Sequence, residues 1–124
     1  MAKKTSNKKN VFIYGAGEAG RQLVISLENN PEFNVVGFLD DNQDLYDQVL
    51  FKQTIYSPAN LEKLVQEKDV GLIFLALPSI GRNKRNKIIK KLNKFKLIVK
   101  TLPSISEIIK LDDLLFVLKK STEI

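Results

Sequence analysis

Gly15-Ala16-Gly17-Glu18-Ala19-Gly20 stands between a short run of β-forming residues, Val11-Phe12-Ile13-Tyr14, and a stretch where Ala19, Leu23, Val24 and Leu27 recur at helical spacing. A Gly-x-Gly-x-x-Gly pattern at the turn from strand to helix leaves few folds open. Gly15 permits the tight turn, and Gly17 removes a side chain where a pyrophosphate would meet the backbone. Gly20 lets the helix lie close to the sheet. The helix start offers unpaired N–H groups and a partial positive charge to that phosphate. Asn29-Asn30-Pro31 stops the helix, and Val35-Val36-Gly37-Phe38-Leu39 makes a second strand ending at Asp40-Asp41. Strand, glycine turn, helix and strand follow in about 30 residues, as a βαβ unit requires.

Further along, Asn42 to Gln53 reads as a polar loop with Leu45, Val49 and Leu50 folded back on the core. Thr54-Ile55-Tyr56 is a brief third strand. Ser57-Pro58 is an N-cap followed by proline at the first helical position, opening a helix that turns Leu61, Leu64 and Val65 inward. Leu72-Ile73-Phe74-Leu75-Ala76-Leu77 is continuously apolar, as a central strand covered on both faces would be. After Pro78-Ser79-Ile80-Gly81 a helix runs from about Arg82 to Asn93, its stripe formed by Ile88, Ile89, Leu92 and Phe95. Leu97-Ile98-Val99 is the fifth strand. Ser104 caps a short helix over 105–109, and Asp112-Asp113 starts another through Leu118. Strands alternating with helices predict an α/β fold: a doubly wound, mainly parallel five-stranded sheet with helices on both faces. It forms one domain, residues 10–124, behind a disordered basic lead-in, residues 1–9.

Composition narrows the chemistry. The 124 residues contain no cysteine and no histidine, so thiol catalysis, a Ser-His-Asp machine and a typical zinc site are excluded. No apolar run approaches the roughly 20 residues of a membrane span, and Met1 to Asn10 lacks the apolar stretch of a signal peptide. Four of the net +6 charges are Lys3, Lys4, Lys8 and Lys9. Between Arg82 and Lys100 there are nine Lys/Arg and no Asp or Glu. A solvated helix face explains that stretch better than nucleic-acid binding, because Phe95 is its one aromatic; attraction of an anionic ligand or acidic headgroups is a milder reading. Tyr14, Tyr46 and Tyr56 all lack a lysine four residues on, so the Tyr-x-x-x-Lys dyad of short-chain dehydrogenases is missing and no proton shuttle stands out. The chain binds more convincingly than it catalyses.

The candidate ligand-binding residues are therefore Gly15, Gly17, Glu18, Ala19, Gly20 and Arg21 at the phosphate site, with Asp40 and Asp41 at the end of the second strand. Asp40, 20 residues past Gly20, accepts from a ribose 2′-hydroxyl and repels a 2′-phosphate, which favours NAD over NADP. Leu77, Pro78, Ser79 and Arg82 follow the fourth strand, across the switch point from the glycine loop. Ser79 hydrogen-bonds a ribose or phosphate there, or else caps the next helix; Arg82 pairs with a phosphate or is solvated. Glu18 places a negative charge near the phosphates unless the helix N-terminus satisfies it. No catalytic residue and no metal ligand are assigned.

Asn10-Val-Phe-Ile-Tyr-Gly-Ala-Gly-Glu-Ala-Gly-Arg-Gln-Leu, Val36-Gly-Phe-Leu-Asp-Asp, Phe74-Leu-Ala-Leu-Pro-Ser and Thr101-Leu-Pro-Ser occur in this order. Together they resemble the N-terminal Rossmann-like domain of bacterial polysaccharide-biosynthesis nucleotide-sugar dehydratases, the CapD/WbpM-like proteins that include UDP-N-acetylglucosamine 4,6-dehydratases. The resemblance covers about Asn10 to Leu115. It implies a cytoplasmic domain that follows membrane helices and precedes a catalytic domain of the short-chain-dehydrogenase type, in surface-polysaccharide metabolism. It also implies a bound nucleotide, NAD or a UDP-sugar. Membrane helices and a catalytic domain are missing from this chain. Two other readings stay open: a ligand-sensing domain, similar to the UDP-sugar-binding front domain of sugar acyltransferases or to redox-sensing Rossmann domains, and a minimal NAD-dependent oxidoreductase completed across an oligomer interface. A homodimer is expected, pairing an exposed sheet edge or helix face. A nucleic-acid partner is not.

Overall fold

Residues 7–78 and 80–101 are described by the structure, a computed structural model. Val11, Phe12, Ile13 and Tyr14 are all buried in β1 (Lys9–Tyr14), the middle strand of the molecule. A strand buried on both faces needs a layer on each side, and alternation of side chains divides the core accordingly. Val11 and Ile13 join Leu23, Val24 and Leu27 of α1 (Glu18–Ser26) and its cap. Phe12 and Tyr14 join Leu61 and Leu64 of α2 (Leu61–Lys68), and Ile88 and Leu92 of α3 (Arg82–Asn93). Phe12, Ile13 and Phe74 are fully buried, each worth about 1.5–3 kcal/mol of hydrophobic stabilisation.

The remaining strands are β2 (Phe33–Leu39), β3 (Val49–Leu50), β4 (Gln53–Tyr56), β5 (Val70–Leu75) and β6 (Ile98–Thr101). The sheet order is β3-β4-β2-β1-β5-β6. All pairings are parallel except β3–β4. From β1 the chain winds outward through α1 to β2 and β4, then crosses back through α2 to β5 on the other side of β1. The doubly wound α/β architecture is thus present, and the switch point lies between β1 and β5.

Among the described residues six strands form where five were expected. The extra one, β3, lies in the stretch read as a loop, where a two-residue turn at Phe51-Lys52 folds Val49–Leu50 back onto β4. Both turn residues have positive φ, 54° and 69°, the geometry of a type I′ hairpin, which is normally signalled by Asn-Gly. Val49 does not return to the core: it is 67% exposed on the edge strand. Before it, Gln43–Leu45 forms a single 3₁₀ turn capped by Asn42. The helix expected from Ser57-Pro58 begins as a 3₁₀ turn, Pro58–Asn60, with the Ser57 side chain accepting from Ala59 N, and becomes α-helical at Leu61. Strand β1 starts at Lys9, paired with Phe33, inside the stretch read as lead-in. The helices expected over 105–109 and from Asp112 lie outside the described residues, as does Ser79.

Candidate functional site

The end of β1 is fixed from both sides. Gly15 N donates to Leu39 O of β2 at 2.7 Å, and Ala76 N, just past β5, donates to Tyr14 O at 2.8 Å. Gly15 then turns with φ +116°, and a Cβ there would sit 2.5 Å from the carbonyl oxygen of Ala76. The glycine loop therefore presses directly against the turn after β5. Gly20 is equally constrained, because a side chain at that point of α1 would collide with the Gly15 carbonyl. These two glycines build the junction of strand, loop and helix.

Gly17 is different. It is exposed, its φ of −84° is open to any residue, and nothing lies within 4 Å of where its Cβ would be. It is the N-cap of α1 and makes no side-chain cap bond. Gly17 therefore places no side chain beside the first-turn N–H groups of α1. Glu18, exposed, occupies that first turn, and its carboxylate accepts from Gln22 Nε2 at 2.6 Å. Ala19 packs against the α1-side core. Arg21 is exposed on the next turn.

The acids at the end of β2 divide their tasks. Asp40 Oδ2 accepts from Ala16 N at 2.8 Å, and its Oδ1 accepts from Asn42 N at 2.8 Å. Asp40 is thereby a brace between the glycine loop and the chain leaving β2. Asp41 is exposed and accepts from the Tyr14 hydroxyl at 2.7 Å on Oδ1. The Tyr14 ring is buried with Leu39, Ile73 and Leu75. Burial, the bond to Asp41 and the negative charges of Asp41 and Asp40 together push the phenol far above its ordinary range. It is a hydrogen-bond donor that keeps its proton.

On the far wall, Leu77 is half-buried and Pro78 exposed in the turn closed by Ile80 N donating to Leu77 O. Gly81 caps α3 without a side-chain bond, and Arg82 stands exposed in its first turn. Arg21 and Arg82 make no ion pair among the described residues. Of the residues singled out from sequence, the fold brings Gly15, Gly17, Gly20, Asp40, Asp41 and Leu77 to the carboxyl ends of β1, β2 and β5. Tyr14, Ala16 and Asn42 were missed. For Tyr14 the signal was its parity: it shares the strand face of Phe12, beside the end of β2.

A parallel sheet with a glycine turn from strand to helix at its switch point defines the Rossmann class of α/β domains. The chain belongs to the PglD N-terminal domain family, which matches residues 10–92. It is similar to a UDP-D-quinovosamine 4-dehydrogenase structure from Vibrio fischeri, at 34% identity and TM-score 0.75, covering 87% of this chain and 98% of that one. These matches make it a Rossmann-like domain of nucleotide-sugar biosynthesis; they do not single out the dehydratases. Two more distant structures share the fold. One is RSP, a Rex-family repressor, at 16% identity and TM-score 0.64, covering 91% of this chain and 58% of that one. The other is a perosamine N-acetyltransferase from Caulobacter crescentus in complex with CoA and GDP-perosamine, at 20% and 0.56, covering 71% and 39%. No curated protein matches the chain. Among the described residues no helix is long and apolar enough to cross a membrane, and no group of acidic side chains is placed to hold a metal ion.

Proposed function

We propose that the glycine loop and the start of α1, at the switch point of the sheet, bind a nucleotide-sugar, and that the chain is the ligand-holding module of a nucleotide-sugar dehydrogenase or dehydratase system of surface-polysaccharide biosynthesis. The observation that carries this is Gly17. Neither backbone angle nor packing requires glycine there, yet it borders a helix N-terminus with no side-chain cap. A diphosphate suits such a helix start chemically, because first-turn N–H groups donate to its oxygens and the helix dipole favours its charge. Arg21 and Arg82 add cations on either side. The 34% identical relative acts, by its name, on a UDP-sugar, which favours that ligand.

Asp41 supports NAD as a second reading. Tyr14 holds one of its oxygens, leaving the other for ribose hydroxyls, and its charge would repel a 2′-phosphate. In either case Tyr14, buried and firmly protonated, positions rather than abstracts protons, so the module contributes binding.

The test is calorimetry of the purified chain against UDP-N-acetylglucosamine, UDP, NAD and NADP. A UDP-sugar or NAD should bind, and Gly17→Val should abolish binding while leaving the melting transition in place. Failure of all four ligands to bind would reject the proposal.

A further inference from the structure

Charge along this chain is segregated. The nine basic residues from Arg82 to Lys100 have no acidic neighbour in that span, while the rest of the sequence holds eleven basic and fourteen acidic residues. The largest acid-free concentration of positive charge is therefore the span of α3, the turn after it and the start of β6, with Lys3, Lys4, Lys8 and Lys9 a smaller cluster at the other end of the chain.

Helix α2, packed in the same layer, shows the ordinary solution to surface exposure. Its outward residues alternate in sign, and Lys63 pairs with Glu67 at 3.9 Å. Helix α3 does the opposite. Ile88 and Leu92 are buried against the sheet, and Lys84, Lys87, Lys91 and Lys94 are all exposed. Their spacing of three, four and three puts them on one line along the outer face, about 15 Å long. Lys90 lies beside it. Like charges at these spacings weaken a helix. Solubility alone would be served better by mixed signs, as in α2, so the arrangement is explained by an anion supplied from outside.

We infer that the outer face of α3 docks the domain on an anionic lipid bilayer. This does not rest on the nucleotide-sugar ligand proposed above. A protein partner would be expected to find anchors, aromatic or aliphatic side chains at the centre of the contact. The outer face of α3 offers lysine and asparagine instead: Asn83, Asn86 and Asn93 fill the gaps. Nucleic-acid grooves are read by arginine forks and stacking rings, and the line is all lysine. A headgroup surface needs neither, since it attracts compact, flexible ammonium groups by its potential alone. The glycine loop lies at the carboxyl ends of the strands rather than at this face, so a docked domain keeps it accessible.

Cosedimentation with phosphatidylcholine/phosphatidylglycerol vesicles tests the inference. Wild-type chain should bind these, ignore pure phosphatidylcholine, and dissociate as salt is raised. Each lysine near such a surface is worth about fivefold in partitioning, so replacing Lys84, Lys87, Lys91 and Lys94 together with Gln should weaken binding on the order of several hundredfold. The positions are exposed and Gln is an equally good helix former, so circular dichroism should match wild type. Replacing Lys3 and Lys4 with Gln in the intact chain is the control. Wild-type chain that fails to bind anionic vesicles at physiological salt overturns the inference. So does loss that follows the Lys3/Lys4 variant rather than the α3 variant, or binding confined to duplex DNA or an acidic polypeptide.

Discussion

Asp40 holds the glycine loop through Ala16: its Oδ2 lies 2.8 Å from an amide nitrogen that the fold buries. An acid in this position is expected to face the ligand, but here it fixes the shape of the loop that would bind one. Removing it strands a buried N–H, which costs about 1–3 kcal/mol. Asp40→Ala should therefore lower stability by that amount in a urea melt, with no ligand present. Asp40→Asn, which keeps one acceptor oxygen, should lose less. A variant as stable as wild type would show that Ala16 finds another partner.

Tyr14 makes the stability of the chain depend on alkaline pH. In the folded state its proton is held far above the ordinary phenol range, whereas in the unfolded chain the phenol ionises near pH 10. Below that pH both states are protonated and the contribution is fully present. Above it the unfolded state sheds its proton first, so stability falls by up to about 1.4 kcal/mol per pH unit. Tyr14→Phe should cost about 1 kcal/mol near neutrality, and the wild type's advantage should vanish or reverse by about pH 11. Denaturant melts of both proteins across this range measure the difference. Parallel curves would mean that Tyr14 titrates freely.

Much of this was legible from spacing. The glycine loop, α1, β5 and the span of α3 follow from apolar periodicity and turn residues, because burial on both faces of β1 and β5 leaves little choice of pattern. Three features were not. Phe51-Lys52 carries no turn signature, so the β3–β4 hairpin read as a loop. The division of labour between Asp40 and Asp41 depends on which oxygen meets which amide, and sequence carries no such register. The Tyr14 hydroxyl finds its partner 27 residues away, a separation that local spacing does not reveal.

The Phe51-Lys52 turn should be improvable. Both residues sit in the left-handed region, which costs a residue with a Cβ about 1–2 kcal/mol. Phe51 is about half exposed, so little packing compensates it. Replacing the pair with Asn-Gly, which suits a type I′ turn, should raise stability by about 1–3 kcal/mol. Calorimetric melting would show it as a higher Tm. An unchanged or lower Tm would mean that the Phe51 ring contributes more against α1 and β2 than its exposure indicates.

Gly15 and Gly17 should separate folding from binding. Alanine at Gly15 must hold φ near +116° with its Cβ against the Ala76 carbonyl, so Gly15→Ala should cost at least about 2 kcal/mol. Alanine at Gly17 meets nothing and needs no unusual angle. Loss of the glycine N-cap costs no more than about 1 kcal/mol, so Gly17→Ala should fold almost as well as wild type. A methyl group in front of the first-turn amides would still hold a diphosphate off them. Affinity for the nucleotide ligand should fall at least about tenfold, the loss of one charge-assisted hydrogen bond. Urea melts read the first effect and calorimetry the second. If Gly17→Ala binds like wild type, the ligand does not approach the backbone at this turn, and the open space there has another cause.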